Sequence, residues 1–192
     1  ARVSVPESVL YPREYNAVNV GGTVSVMEAM RDAGVQRVVL VSSGAVYGEH
    51  GHQPLDEAQT PNPRSPYAVS KLSAEYYVQT IGQLWGIETV ALRVFNAYGP
   101  GQPLPAAHAP VIPRFLKQAL QGGSLVVAAT AQQINRLVIN VGSGQETSVR
   151  ELARRVGEAI GHPVDALYSK AENGGVSRMC ADIRLAAERL NF

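Results

Sequence analysis

The stretch Val38-Val39-Leu40-Val41-Ser42-Ser43-Gly44 decides the fold that the sequence predicts. Four consecutive apolar residues indicate a parallel strand buried on both faces, because a half-solvated strand would alternate apolar and polar residues. The run ends in two serines, so polar side chains lie at its carboxyl end. In open α/β sheets, ligands bind beyond the carboxyl ends of the strands. We therefore expect Ser42 and Ser43 to lie beside a binding site.

The segments around this strand alternate between helix and strand. The apolar spacing predicts a helix over 14–33 that stops at Gly34, and a second helix from Ser65 to about Trp85. Residues 89–95 form the next apolar run and predict a second strand. A βαβ order implies a parallel sheet with right-handed crossovers, so we predict an α/β fold.

The residue composition changes near residue 100, where glycine and proline become frequent. We predict a first domain over 1–100 and a smaller α/β domain over 101–192, with 137–144 as a candidate for return to the first. The later predicted elements are helices at about 111–120, 148–160 and 182–190 and a strand at 137–141.

Tyr67 and Lys71 are four residues apart and share one face of the second predicted helix. Ser65 and Pro66 suit the cap and the first position of that helix, which places Tyr67 in its first turn. A nearby ammonium and a helix N-terminus both favour phenolate, so the pair suits acid-base chemistry near neutral pH. The alternative is ordinary packing for Tyr67 and a solvated Lys71. A stripe in line with the pair is predicted to face the core: Ala74, Tyr77, Val78, Ile81, Leu84 and Trp85.

Composition excludes several classes of function. The 192 residues are 45% hydrophobic and carry a net charge of +1, which gives no electrostatic case for binding nucleic acid or a membrane surface. Cys180 is the only cysteine, so an internal disulfide and a cysteine zinc cluster are excluded. The four histidines show no convincing ligand spacing, and no apolar run reaches the length of a membrane span. We expect no metal, nucleic-acid or membrane partner.

Three ordered motifs resemble the extended short-chain dehydrogenase/reductases, and within them the NAD-dependent nucleotide-sugar epimerase/dehydratase family. They are Ser42-Ser43-Gly44-Ala45-Val46-Tyr47-Gly48, then Ser65-Pro66-Tyr67-Ala68-Val69-Ser70-Lys71, then Leu92-Arg93-Val94-Phe95-Asn96-Ala97-Tyr98-Gly99-Pro100-Gly101. Residues 19–23 and 140–144 match further family motifs. The resemblance runs through nearly the whole chain. It implies a Rossmann-type doubly wound parallel sheet that binds NAD, followed by a smaller substrate domain.

The resemblance also implies roles for individual residues. Tyr67 would be the catalytic acid/base, Lys71 would hold the nicotinamide ribose and lower the tyrosine pKa, and Ser43 would bond the sugar hydroxyl that is oxidised. The remaining cofactor contacts would come from Ala1, Arg2, Asn19, Ser42 and Phe95. Asn96 and Arg178 would contact the substrate, although a solvated arginine is an equal alternative at position 178.

Two departures from the family pattern matter. The 4,6-dehydratases carry Thr-Asp-Glu where this chain has Ser43-Gly44-Ala45, so the acid and base for losing water are missing. The glycine-rich loop that binds the pyrophosphate is also missing, together with the first strands. We therefore expect that the sequence joins segments of a longer protein, with gaps before its start, near 127/128 and near 170–174.

The resemblance favours epimerisation of a nucleotide sugar at C4 through a 4-keto intermediate, with UDP-glucose and UDP-galactose as the expected pair. A nucleotide-sugar decarboxylase, reductase or dehydratase of the same fold is the alternative within enzymes. A non-catalytic NAD(P)-binding scaffold is the alternative of another class. We also expect a cytoplasmic homodimer, because family members pair through the helices that correspond to 14–33 and 65–85.

Overall fold

The computed structural model describes residues 1–97, 137–147 and 179–190, together with the helical positions 151, 154, 155 and 158. The chain divides into two compact units, and the described residues of the first are 1–95, 137–144 and 179–190. The sequence placed 179–190 in the smaller domain, whereas the structure groups them with the first unit. The proposed domain boundary stays a prediction, and the predicted helix at 111–120 lies outside the described residues.

A parallel sheet organises the first unit, as predicted. Its strands are β1 (Arg37–Ser43), β2 (Glu88–Val94) and β3 (Leu137–Val141), and they lie in that order. Ser43 is opposite Val94, and Val94 is opposite Val141. The carboxyl ends of all three strands therefore lie at one edge of the sheet.

Only one face of β1 is covered among the described residues. Val38 and Leu40 pack against a buried cluster of Met27, Val78 and Ile87. Val39 and Val41 point the other way and are 61% and 59% exposed. The prediction that both faces are buried is therefore wrong for the described part of the chain, where the helices that pack on β1 lie on one side.

The predicted helix over 14–33 is continuous but composite. After α1 (Val5–Leu10), the chain forms α2 (Pro12–Tyr15), a π-helical turn (Asn16–Gly21) and α3 (Gly22–Asp32). The segment ends at Gly34, whose φ of 67° confirms the predicted stop.

The helix that carries Tyr67 is α4 (Pro66–Trp85), and the last described helix is α5 (Arg184–Leu190). Ser65 caps α4 as predicted, since its hydroxyl accepts a hydrogen bond of 3.2 Å from the backbone N–H of Ala68. None of the helices in the described ranges is both long and apolar enough to cross a membrane.

The buried face of α4 is rotated from the predicted stripe. Ala74 and Val78 are buried as predicted, but Tyr77 and Leu84 are exposed. At about 100° per residue, Tyr77 and Leu84 lie more than a quarter-turn from the centre of the buried face. That face includes several polar residues, which the apolar pattern did not count: Tyr67, Ser70, Lys71 and Glu75.

Candidate active site

Tyr67 lies in the first turn of α4 with 9% of its surface exposed. Its hydroxyl lies close to the side chain of Ser43, the last residue of β1. The ring of Tyr15 meets the Tyr67 ring edge-on, with 6.5 Å between centroids. Burial raises the pKa of Tyr67, and the nearby Ser43 hydroxyl opposes that rise. The direction is opposite to our prediction of a lowered pKa, because loss of solvent outweighs the favourable contacts.

Lys71 lies one turn after Tyr67 and is only 6% exposed. Its ammonium donates a hydrogen bond of 2.6 Å to the backbone carbonyl of Val41. Burial lowers the pKa of Lys71, and the negative charge of Glu75 partly opposes this. The alternative of a solvated Lys71 is therefore wrong, and the ammonium group is directed at the end of β1.

Ser43 begins a short 3₁₀ helix, Gly44–Tyr47, and its hydroxyl accepts a 3.2 Å bond from the Ala45 N–H. Gly44 packs directly against Phe95, which is buried just beyond β2. A Cβ atom at position 44 would lie 2.9 Å from two carbons of the Phe95 ring. A side chain at position 44 would therefore require the Phe95 ring or the backbone to move.

Asn19 connects the start of the chain to α4. It lies in the π-helical turn, and its side-chain amide donates to Ser70 Oγ and to the Arg2 carbonyl, both at 3.0 Å. Its Oδ1 accepts a 2.8 Å bond from the Arg2 N–H. The Arg2 guanidinium instead pairs with Glu7 and Glu14. The neighbouring Ala1 is exposed.

The structure brings five of the ten predicted residues to the carboxyl edge of the sheet, and they are Ser42, Ser43, Tyr67, Lys71 and Phe95. Ser42 is buried and donates a hydrogen bond to Glu75. Asn96 is exposed and groups with the second unit. Arg178 lies outside the described residues, so its predicted role stays a prediction.

Sequence reasoning missed a buried ion pair beside this site. Glu75 and Arg93 are 1% and 5% exposed, and their closest nitrogen-to-oxygen distance is 2.8 Å. The spacing of Tyr67, Lys71 and Glu75 by four residues was an available signal, because it places all three on one helix face. A glutamate in an amphipathic helix is ordinarily solvated, so this spacing alone does not predict that Glu75 is buried.

The described residues fit the nicotinamide side of NAD. A lysine ammonium carries three hydrogens, and the structure records one acceptor for Lys71 among the described residues, so it has donors for ribose hydroxyls. The neighbouring hydroxyls of Tyr67 and Ser43 can each donate and accept a hydrogen bond with a substrate alcohol. The sequence holds no Gly-x-Gly-x-x-Gly loop for the pyrophosphate.

Comparison with known proteins supports the same assignment. The sequence pattern of the NAD dependent epimerase/dehydratase family matches residues 1–139. A putative UDP-glucose 4-epimerase of Methanocaldococcus jannaschii is 35% identical over 97% of this chain and 67% of its own length.

Two solved structures are also similar. UDP-N-acetylglucosamine 4-epimerase from Methanobrevibacter ruminantium, in complex with UDP-N-acetylmuramic acid, is 30% identical with a TM-score of 0.87, and the match covers 100% of this chain and 68% of that one. UDP-glucose 4-epimerase from Thermus thermophilus, in complex with NAD, is 29% identical with a TM-score of 0.84, over 98% and 69%. The chain thus shares its sequence pattern and its fold with these proteins. It belongs to the NAD dependent epimerase/dehydratase family.

Proposed function

We propose that this protein is an NAD-dependent 4-epimerase of a nucleotide sugar, with UDP-glucose and UDP-galactose or a close analogue as its substrates. The observation that carries the proposal is that the buried Tyr67 and Lys71 lie beside the half-buried Ser43 at the carboxyl edge of the sheet. The names of the similar proteins support the substrate class, since they act on UDP-glucose or UDP-N-acetylglucosamine.

Each of the three side chains has a distinct proposed task. Tyr67 removes the proton from the sugar 4-hydroxyl, and Ser43 holds that hydroxyl through a hydrogen bond. Lys71 binds the ribose of the cofactor and brings positive charge close to the phenol. NAD, when bound, would supply the hydride acceptor for oxidation at C4 and the hydride donor for the reverse reduction. Asn19 holds the π-helical turn against α4, and Arg178 and Asn96 stay proposed substrate contacts.

The packing of Gly44 argues against a dehydratase. A 4,6-dehydratase needs an acid and a base for the loss of water, and the family places them at positions 44 and 45. An aspartate at 44 would put its Cβ 2.9 Å from the Phe95 ring. The site thus lacks the acid and has no room for it in this packing, which favours epimerisation.

Product analysis tests the proposal. The protein, expressed from its complete coding sequence, is incubated with a panel of nucleotide sugars, and the products are followed by NMR. We expect interconversion of 4-epimers without net consumption of NAD. Stoichiometric NADH, carbon dioxide or a 6-deoxy-4-keto sugar would instead identify a dehydrogenase, decarboxylase or dehydratase, and no turnover with intact NAD binding would identify a scaffold.

A matched pair of tyrosine variants tests the residue assignment. Tyr67→Phe removes the acid/base hydroxyl and should lower kcat by about 10³-fold, within the range for losing a general acid-base group. Tyr77→Phe changes an exposed tyrosine of the same helix and should leave kcat unchanged. Retention of most activity by the Tyr67 variant would contradict the assigned role.

We also propose a cytoplasmic homodimer. Helices α3 and α4 expose apolar side chains on their outer surfaces: Val26, Val69, Tyr76 and Leu84. A contiguous apolar patch on these helices would be a surface for association. Sedimentation equilibrium should give a dimer, and Leu84→Glu should shift it toward the monomer.

A further inference from the structure

A buried carboxylate lies directly behind the candidate active site and contacts three elements of the fold. Glu75 on α4 accepts a hydrogen bond from Ser42 on β1. It also receives three hydrogen bonds from Arg93 on β2, at 2.8, 3.1 and 3.2 Å. Ser42 and Arg93 are opposite each other in the β1–β2 register. The carboxylate therefore joins the helix and both strands at one point.

The same ion pair fixes both ends of the segment that contains Ser43. On one side, Ser42 is bonded to Glu75. On the other side, the Arg93 guanidinium lies 4.7 Å from the ring centroid of Tyr47, the last residue of the 3₁₀ helix. The Tyr47 hydroxyl donates a 2.8 Å bond to Asn140 on β3, which holds the ring in place.

Stability alone does not account for a pair in this position. Removing a carboxylate or a guanidinium from water costs several kcal/mol per ion, and well-packed apolar residues at such sites are often as stable or more stable. In some proteins a buried polar or charged group instead serves to select one arrangement of the groups around it. Here those groups are Tyr67 and Lys71 on the helix of Glu75, and Ser43 on the segment held by Ser42 and Tyr47.

We infer that Glu75 and Arg93 form a positioning pair that fixes α4 against the Ser43 segment and so sets the reacting geometry of Tyr67, Lys71 and Ser43. The inference rests on the proposed function, because it concerns the rate of that reaction. Neither residue contacts the reacting atoms in this account. Loss of the pair should lower kcat while leaving the affinity for substrate and cofactor nearly unchanged, since misplacement by about 1 Å can cost about 100-fold in rate.

An apolar replacement separates positioning from stability. In Glu75→Leu/Arg93→Met, both charges are removed and similar volume is kept, so the melting temperature should stay close to that of the wild type. We expect kcat to fall at least about tenfold, with KM and the Kd for NAD within threefold of the wild type. Glu75→Gln keeps one oxygen for Arg93 and should give an intermediate kcat. A kcat within threefold of the wild type in both variants overturns the inference.

The exposed ion pair Arg37–Glu88 is a matched control, because it joins the opposite ends of the same two strands at 2.5 Å. Arg37→Met/Glu88→Leu should leave kcat unchanged, and an equal loss in this control would overturn the inference. If the apolar variant of the buried pair does not fold, Glu75→Gln tests the inference alone. A lower kcat with KM within threefold of the wild type supports it, and a kcat within threefold of the wild type overturns it.

Failure of the proposed function gives a different result. If Tyr67→Phe keeps its activity, the assigned site is wrong whatever the pair variants do. If the wild type turns over no nucleotide sugar, a crystal structure of the apolar variant decides the positioning inference. Loss of the 2.6 Å contact between Lys71 Nζ and the Val41 carbonyl supports it, and retention of that contact overturns it.

Discussion

Gly44→Ala is the smallest change that tests how the site is packed. The added Cβ would lie 2.9 Å from two ring carbons of Phe95, whereas ordinary contacts begin at 3.4 Å, so the ring must withdraw by about 0.5 Å. Gly142 and Tyr47 also lie close to Phe95. A Cβ added at Gly142 would be 3.3 Å from the Phe95 Cβ, and the Tyr47 and Phe95 ring centroids are 6.1 Å apart.

Overpacking of this kind costs about 1–3 kcal/mol of unfolding free energy. For a protein of this size, that corresponds to a melting temperature lower by about 2–12 °C. Because Ser43 precedes Gly44, any backbone shift that relieves the contact also moves the Ser43 hydroxyl. We therefore expect kcat to fall by about tenfold or more, with KM less affected.

Urea unfolding and steady-state kinetics on the same preparations measure both effects. Gly51→Ala is the control, since its Cβ would meet nothing within 4 Å and its stability should stay within about 0.5 kcal/mol of the wild type. Gly44→Asp should be less stable than Gly44→Ala and should yield no dehydration product. A Gly44→Ala protein with wild-type stability and kcat would refute the claim that Phe95 closes this position.

Three further substitutions test other parts of the structure. Burial lowers the pKa of Lys71 from 10.5 in the folded protein. Between the lowered pKa and 10.5 the unfolded chain therefore binds more protons than the folded one, and the free energy of unfolding rises with pH. In urea unfolding from pH 7 to 10, Lys71→Met should lack that rise, and an equal rise in the variant and the wild type would contradict the prediction. Gly48→Ala should unfold or strongly destabilise the protein in thermal melts, because Gly48 has φ 64° and its Cβ would lie 1.9 Å from the Asn62 carbonyl. Ser65→Ala should cost about 1 kcal/mol and Ser65→Gly a few tenths, as measured by urea unfolding, through loss of the α4 cap.

The sequence was most informative where one local signal decides the structure. The apolar runs identified all three described strands, and β3 begins and ends at the predicted residues, Leu137 and Val141. The Ser65 cap and the Gly34 stop fixed helix ends, because these depend on neighbours in the chain.

Features that depend on distant residues were not predictable in the same way. The partner of Glu75 lies 18 residues away on β2, and nothing in the helical pattern marks Glu75 as buried. The tight contact between Gly44 and Phe95 joins two strand ends that are 51 residues apart in sequence. The sequence therefore showed that position 44 lacks the acid of a dehydratase, but it did not show this contact.

The acidity of Tyr67 shows why charge spacing alone was insufficient. From the sequence, Lys71 and the helix N-terminus both act to lower the phenol pKa, but neither indicates how deeply the phenol is buried. In the structure burial is the leading cause, and it raises the pKa of Tyr67 and lowers that of Lys71, so both shifts are toward the neutral forms. Only the phenolate can accept a proton, so Tyr67 needs further positive charge beside it to act as a base. An oxidised nicotinamide ring carries such a charge, so in the proposed enzyme ionisation of Tyr67 and binding of NAD are linked, and each must favour the other by the same factor.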